Sequence, residues 1–300
     1  HLIGVAGSGM SGLASLLLGM GHDVSGSDRV TSAETERLQR VGLKFHSPHS
    51  AHAVEDADVV VYSSAIRETN VALAAARERG IPSLRRAECL AAILATKDGV
   101  VISGTHGKTT TSAMSAHVLR RGAINPSHYV GAEIPVLGTN AHWDEAGELM
   151  VAEGDESDGT LALYQPKHTV VLNVEEEHLD FYSGIDHIKE VFTTLLDRTS
   201  GSAIYCAECS VATELCANRS GSISYGWENA DFVASELKEQ GGIVAFDVFH
   251  QGVRLGRIEL GVPGRHNVLN ALAAIALAHE CGVAFSAISH ALSTFAGARR

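Results

Sequence analysis

Val100-Val101-Ile102-Ser103-Gly104-Thr105-His106-Gly107-Lys108-Thr109-Thr110-Thr111 is the stretch that decides how this chain folds. An apolar run of strand length enters a turn with two glycines. A lysine and threonines follow, and Thr110 to Arg120 reads as a helix. A glycine-rich turn between strand and helix aims backbone N–H groups at a phosphate, while the ammonium reaches the terminal phosphates and the hydroxyl suits magnesium. The full Walker spacing would place its first glycine at Ile102, so this loop is a shortened G-x-x-G-K-T. A purely structural turn is the competing reading.

Upstream, the chain alternates strands and helices. Leu2 to Ala6 reads as a strand, Gly7-Ser8-Gly9-Met10-Ser11-Gly12 as a G-x-G-x-x-G turn, and Leu13 to Met20 as a helix closed by Gly21. The next strand ends at Ser27-Asp28, where an acid suits a ribose or base. Asp58 to Tyr62 is a strand followed by the loop Ser63-Ser64-Ala65-Ile66, and Asn70 to Arg79 and Arg86 to Ala95 are helices. This alternation predicts an α/β chain with a Rossmann-like parallel sheet. The polar Lys97-Asp98-Gly99 sets the boundary, giving domains 1–98 and 99–300.

Downstream, Leu149 to Ala152 is a strand that runs into Glu153, Asp155, Glu156 and Asp158. Thr169 to Val174 is another, ending at Glu175-Glu176-Glu177-His178. These acids are either cation ligands or a solvated face, though Glu153 directly follows an apolar strand and suits a ligand better. The segment 221–260 alternates around Ile243 to Val248 and Val253 to Leu260, predicting a small antiparallel addition to the second, P-loop-type sheet. Asn267 precedes the helix Val268 to His279, where asparagine also suits an N-cap. Ala271 to Ala278 reads as a buried helix.

Four segments, in order, resemble the Mur ligases. The loop from Gly104 to Thr111 looks like their ATP loop. Val151 to Asp158 is similar to V-A-E-A-D-E-S-D, with Gly154 where the family carries alanine. Asn173 to Asp180 is similar to N-I-E-P-D-H-M-D, with Glu176 and Glu177 departing from the usual residues. Gly261-Val262-Pro263-Gly264-Arg265-His266-Asn267 resembles the P-G-x-H-N turn. Gly9 to Gly12, Gly26-Ser27-Asp28, Ser63 to Ile66 and Arg86-Ala87-Glu88 favour the alanine-adding branch over the tripeptide-recycling one.

The resemblance implies an ATP- and Mg2+-dependent ligase that joins L-alanine to the carboxylate of UDP-N-acetylmuramate through an acyl phosphate, in peptidoglycan precursor synthesis. It implies Lys108, Glu153 and His178 as catalytic, and Thr109, Glu153 and His178 as metal ligands. ATP would be bound by Gly104, Thr105, His106, Gly107, Lys108, Thr109, Thr110, His266, Asn267 and Arg300. The sugar nucleotide would meet Gly9, Met10, Ser11, Gly12, Ser27, Asp28, Ser63 and Ser64. His106 is expected to shape the loop. The chain opens at His1 directly in a strand-like run and stops inside a segment similar to F-x-G-x-x-R-R. On this reading a natural N-terminus and a third, amino-acid-binding domain lie outside it, and the fragment binds nucleotide without full activity.

Bulk properties agree. Three hundred residues suit about two domains of roughly 150. A net charge of −12 argues against nucleic-acid or anionic-membrane partners. No apolar run reaches the ~20 residues of a membrane span. Five cysteines, an odd number, with Cys206 and Cys209 as the one C-x-x-C, read as ordinary thiols in a reducing cytoplasm. Two other classes compete: a nicotinamide-dependent oxidoreductase, which leaves Gly104 to Thr109 without a role, and a non-catalytic nucleotide-binding protein. The oligomeric state is not legible.

Overall fold

A computed structural model describes residues 1–132 and 134–297, arranged as two compact units. The first comprises His1–Ile93 and Asn140–Glu145; the second comprises Leu94–Thr139 and the residues from Ala146 onward. Arg300, placed on ATP by the resemblance, lies outside the described residues.

The first unit contains β1 (Leu2–Ile3), α1 (Ser8–Gly19), β2 (Ser25–Ser27), α2 (Ala33–Arg40), β3 (Lys44–His46), β4 (Val60–Tyr62), α3 (Val71–Glu78) and β5 (Ser83–Arg85), and α4 (Arg86–Leu94) leads out of it. Its sheet is parallel throughout, in the order β3-β2-β1-β4-β5. The strand order reverses between β1 and β4, and ligands of such sheets generally bind at the carboxyl ends of the strands beside that switch point. The periodicities that predict α3 are realised with a cap: Asn70 Oδ1 accepts from the Ala72 and Leu73 N–H groups.

One element differs from its sequence reading. β1 ends at Ile3, the turn is Gly4 to Gly7, and α1 already begins at Ser8. The tight turn uses Gly4, whose φ of +85° favours glycine. The pattern Gly7 to Gly12 is therefore mostly helix, and Met10, Ser11 and Gly12 lie on its buried side.

The second unit contains β6 (Asp98–Ser103), α5 (Lys108–Arg121), β7 (Ser127–Tyr129), β9 (Leu149–Glu153), β10 (His168–Val171), α6 (Ile185–Asp197), β11 (Ala203–Cys206), α7 (Ser210–Cys216), β12 (Ser222–Gly226), β13 (Phe232–Gln240), β14 (Ile243–His250), β15 (Val253–Leu260), α8 (Arg265–Glu280) and α9 (Phe285–Ser293). The short β8 (Ala141–His142) falls in the segment grouped with the first unit. The sheet runs β15-β14-β13-β12-β11-β10-β6-β9-β7. It is parallel from β7 to β13, and β13-β14-β15 form the antiparallel addition that alternation predicts. Ala271 to Ala278 of α8 are all fully buried, because small side chains let the helix lie close to its neighbours. Among the described residues no helix is long and apolar enough to cross a membrane. All five cysteines are free; Cys206 is buried and Cys209 Sγ caps α7 through the Ala212 N–H.

α5 and α9 are tied by His117, whose buried Nε2 donates to the Ala291 carbonyl at 3.0 Å. Burial pushes its pKa down from 6.5 to about 4. The unfolded chain therefore binds a proton that the folded chain refuses between these two values. The stabilisation is complete above pH 6.5 and is lost as pH falls toward 4, by roughly 3 kcal/mol. Urea melts at pH 7 and pH 4 should show His117→Gln losing less stability than the parent over this window. Equal losses would contradict it.

Candidate functional site

Three neighbouring strands, β10-β6-β9, deliver the site at their carboxyl ends. Register fixes who meets whom: Ile102 of β6 lies opposite Glu153 of β9, and Ser103 opposite Val171 of β10. The loop after β6 thus emerges between Glu153 on one side and Asn173 on the other. Gly104 (φ +142°) and Gly107 (φ +87°) hold conformations that favour glycine, and Gly107 is the N-cap of α5. Lys108, Thr109 and Thr110 accordingly stand in the first helical turn, two residues earlier than the sequence reading places the helix, where N–H groups and helix dipole favour an anion.

Asn173 is a residue the sequence did not single out. Its Oδ1 accepts from the His106 N–H at 2.7 Å and its Nδ2 donates to the His106 carbonyl at 3.0 Å. The Asn173 carbonyl accepts from the Thr105 N–H, and Thr105 Oγ1 accepts from the Glu175 N–H. His106 shapes the loop through its backbone, while its exposed ring lies 3.6 Å from Glu175 and 3.7 Å from Glu177. The signals for Asn173 were its place at a strand end, two residues before an acidic run, and at the head of the segment that resembles N-I-E-P-D-H-M-D.

Thr109 Oγ1 donates to Glu153 Oε1 at 2.9 Å, and the Gly131 N–H donates to Glu153 Oε2 at 2.6 Å. Burial raises the Glu153 pKa, opposed by these two hydrogen bonds and by Lys108. A Cβ on Gly131 would stand 2.8 Å from Glu153 Oε2, so a larger residue there would push the carboxylate aside. Gly154 is explained as well: a Cβ would stand 2.7 Å from both Leu161 and Val101. Lys108 Nζ donates to the Gly104 and Thr105 carbonyls and to Glu156 Oε1. Glu156, which the sequence left open as a solvated acid, is buried. His178 adopts a left-handed backbone (φ +55°), and its Nε2 lies 3.4 Å from Glu156 Oε1. Its carboxylate partner is thus Glu156, whereas Thr109 pairs with Glu153.

Comparison with known proteins adds a second, independent observation. Residues 102–278 match the Mur ligase middle domain, and residues 1–98 match the domain described as "Mur ligase family, catalytic domain". The chain belongs to the Mur ligase family. Its relatives include proteins named UDP-N-acetylmuramate--L-alanine ligase from Geobacter sp. (strain M21), 43% identical, and from Desulfosudis oleivorans, 44% identical. Both alignments cover 100% of this chain and 66% of the relative. A crystal structure of UDP-N-acetylmuramate-alanine ligase from Thermotoga maritima superposes with a TM-score of 0.89 at 29% identity, covering 100% of this chain and 69% of that one. A ligase from Neisseria meningitides named for UDP-N-acetylmuramate and L-alanyl-gamma-D-glutamyl-meso-diaminopimelate gives 0.90 at 26% identity, covering 100% and 98%.

In this Mur ligase chain the remaining candidate residues divide by unit. Asn267 is not an N-cap: α8 begins at Arg265, and Asn267 Nδ2 turns back to the Pro263 carbonyl at 2.7 Å. Its Oδ1 accepts from Asn270 Nδ2 at 3.3 Å. A Cβ on Gly107 would stand 2.7 Å from Asn270 Oδ1, so Asn270, also missed by the sequence reading, links α8 to the phosphate loop. His266 is exposed beside Gly264, and Arg265 stacks 4.3 Å above the Trp227 ring. In the first unit Asp28 Oδ2 accepts from the Ala6 N–H at 2.9 Å and so fixes the Gly4–Gly7 turn. Ser27 is fully buried, with its Oγ against the His1 and His49 rings. Ser63 is half-buried and Ser64 exposed after β4, beside β1.

Proposed function

We propose that this chain carries the nucleotide and sugar-nucleotide sites of an ATP-dependent, cytoplasmic ligase that joins L-alanine to UDP-N-acetylmuramate. The observation that carries this reading is the set Lys108, Thr109 and Glu153 at the start of α5, beside a glycine loop shaped for phosphate. The domains proposed are 1–98 for the sugar nucleotide and 99–300 for ATP, in keeping with the two family matches.

A free carboxylate resists attack by an amine, so it is first phosphorylated by ATP. Its oxygen attacks the γ-phosphorus, releasing ADP and forming an acyl phosphate; the amine of L-alanine then attacks the acyl carbon, loses a proton and expels phosphate. Lys108 neutralises the terminal phosphate, and loop N–H groups hold the others. The residues present fit magnesium: Thr109 and Glu153 offer hard oxygens 2.9 Å apart, and Glu153 is oriented by Gly131. Among the described residues no three His, Cys, Asp or Glu side chains are grouped to hold a metal, so the rest of the shell would have to come from nucleotide oxygens and water. Magnesium there would offset charge on the transferring phosphoryl group. His178 stands ready for a second cation beside Glu156. Asn267, and His266 less directly, would approach the adenine.

The start of α1 and the Ser63-Ser64 loop supply donors for the diphosphate of the sugar nucleotide at the β1–β4 switch point. Gly9, Met10, Ser11 and Gly12 contribute through backbone and packing, since Ser11 Oγ is spent on the Ser8 carbonyl. Ser27 and Asp28 act from behind this turn. Identities of 43–44% to alanine ligases favour L-alanine over the tripeptide of the recycling ligase.

Calorimetric titration with UDP-N-acetylmuramate, UDP-N-acetylglucosamine and NAD tests the assignment. Selective binding of the muramic acid form is the expected result. Binding of NAD alone would overturn the ligase reading.

A further inference from the structure

Lys108 gives its protons to three acceptors: the Gly104 carbonyl at 2.6 Å, the Thr105 carbonyl at 3.1 Å and Glu156 Oε1 at 2.8 Å. An ammonium has three to give. A phosphate that engages Lys108 must therefore displace one of these partners. The two carbonyls belong to the same loop. Glu156 is different in kind: it is an anion, supplied from the segment after β9.

Glu156 is also held in place. Its side chain is 5% exposed, and its backbone carbonyl accepts from the Tyr182 hydroxyl, which itself accepts from the Gly159 N–H. Its other polar neighbour is the His178 ring, 3.4 Å away. The Tyr182 bond fixes the backbone at Glu156, and the 5% exposure of the side chain leaves the carboxylate little room to leave the loop. It stays close to whatever phosphate takes Lys108, and like charges repel at that range.

We propose that Glu156 is a built-in competitor for the terminal phosphate, a specificity-determining residue that sets how strongly the loop prefers triphosphate to diphosphate. This rests on the reading that the loop binds ATP. Competition by Glu156 weakens triphosphate binding. Once the terminal phosphate has been transferred, Lys108 re-pairs with Glu156 and the diphosphate is released more readily. The same residue thus links the phosphate clamp to His178 without touching the nucleoside.

The test is calorimetric titration of the chain and of Glu156→Gln with an imido-bridged ATP analogue and with ADP, in chelator so that no divalent cation takes part. Glutamine keeps the length and an acceptor for Lys108 while removing the charge. Glu156→Gln should bind the triphosphate about tenfold tighter. Its gain for ADP should be markedly smaller. Glu156→Asp, which keeps the charge, should stay within about twofold of the parent for both. Glu156→Met carries the same expectation as glutamine if the latter lowers the melting temperature. A folded, uncharged variant with unchanged or weaker triphosphate binding overturns the proposal while leaving the nucleotide site intact. Parent protein that binds neither nucleotide sinks the proposed function and this inference together.

Discussion

Lys108→Ala should lower ATP-dependent phosphate release, assayed in the full ligase with sugar nucleotide and L-alanine, by about 10³-fold. The ammonium stands in the first turn of α5 with its donors aimed into the loop, so its loss removes the one mobile cation supplied by the loop itself. The same change should destabilise the fold. Glu156, at 5% side-chain exposure, would lose its 2.7 Å ion pair, and breaking a buried pair costs about 3–5 kcal/mol. The nearby His178 reduces that figure by offering a second partner. These effects separate in the double variant Lys108→Ala/Glu156→Gln. Removing the stranded charge should restore most of the stability, while turnover stays near the level of the single variant. Recovery of turnover along with stability would show that Lys108 matters only as a structural counter-ion.

The second large effect is expected at Glu153. Glu153→Gln should reduce turnover by about 10²- to 10³-fold and raise the magnesium concentration needed for half-maximal rate. Glutamine keeps both contacts when its oxygen accepts from the Gly131 N–H and its amide donates to the Thr109 hydroxyl, but it supplies no negative charge to a cation. Stability works in the opposite direction. Burial raises the Glu153 pKa by penalising the charged form, so the neutral side chain should leave the melting temperature at pH 7 equal or higher. A large fall in melting temperature, or an unaltered magnesium requirement, would defeat the assignment.

Much of this molecule was legible in the sequence because periodic patterns and glycine turns report local physics. Val100 to Ser103 is apolar on both faces and becomes a central strand. The alternation in 243–260 becomes an antiparallel pair. Lys108, Thr109 and Glu153 stood out as candidates because a phosphate loop is a local pattern and an acid after an apolar strand is conspicuous. Gly7 to Gly12 read less well: a G-x-G-x-x-G string fits both a turn and a helix with small residues on its packed face, and Gly4 took the turn. Asn267 went the same way, since Gly264 begins α8 and frees the asparagine to reach back to Pro263. Asn173, Gly131, Asn270 and the burial of Glu156 were invisible for a different reason. Each acts on a residue far away in sequence: the strand order β10-β6-β9-β7 brings Asn173, Glu156 and Gly131 to their partners, and the packing of α8 on α5 brings Asn270.

That strand order has a consequence for how the protein comes into being on the ribosome. The phosphate loop leaves β6 early, yet both hydrogen bonds between the His106 backbone and the Asn173 side chain span 67 residues. Closing so long a segment carries an entropic penalty that local contacts cannot repay. A nascent chain released before β10 has emerged would contain the complete Gly104–Thr109 string and still lack its shape. Nucleotide affinity should therefore arise no earlier than the emergence of Asn173 from the exit tunnel, well after the lysine itself appears.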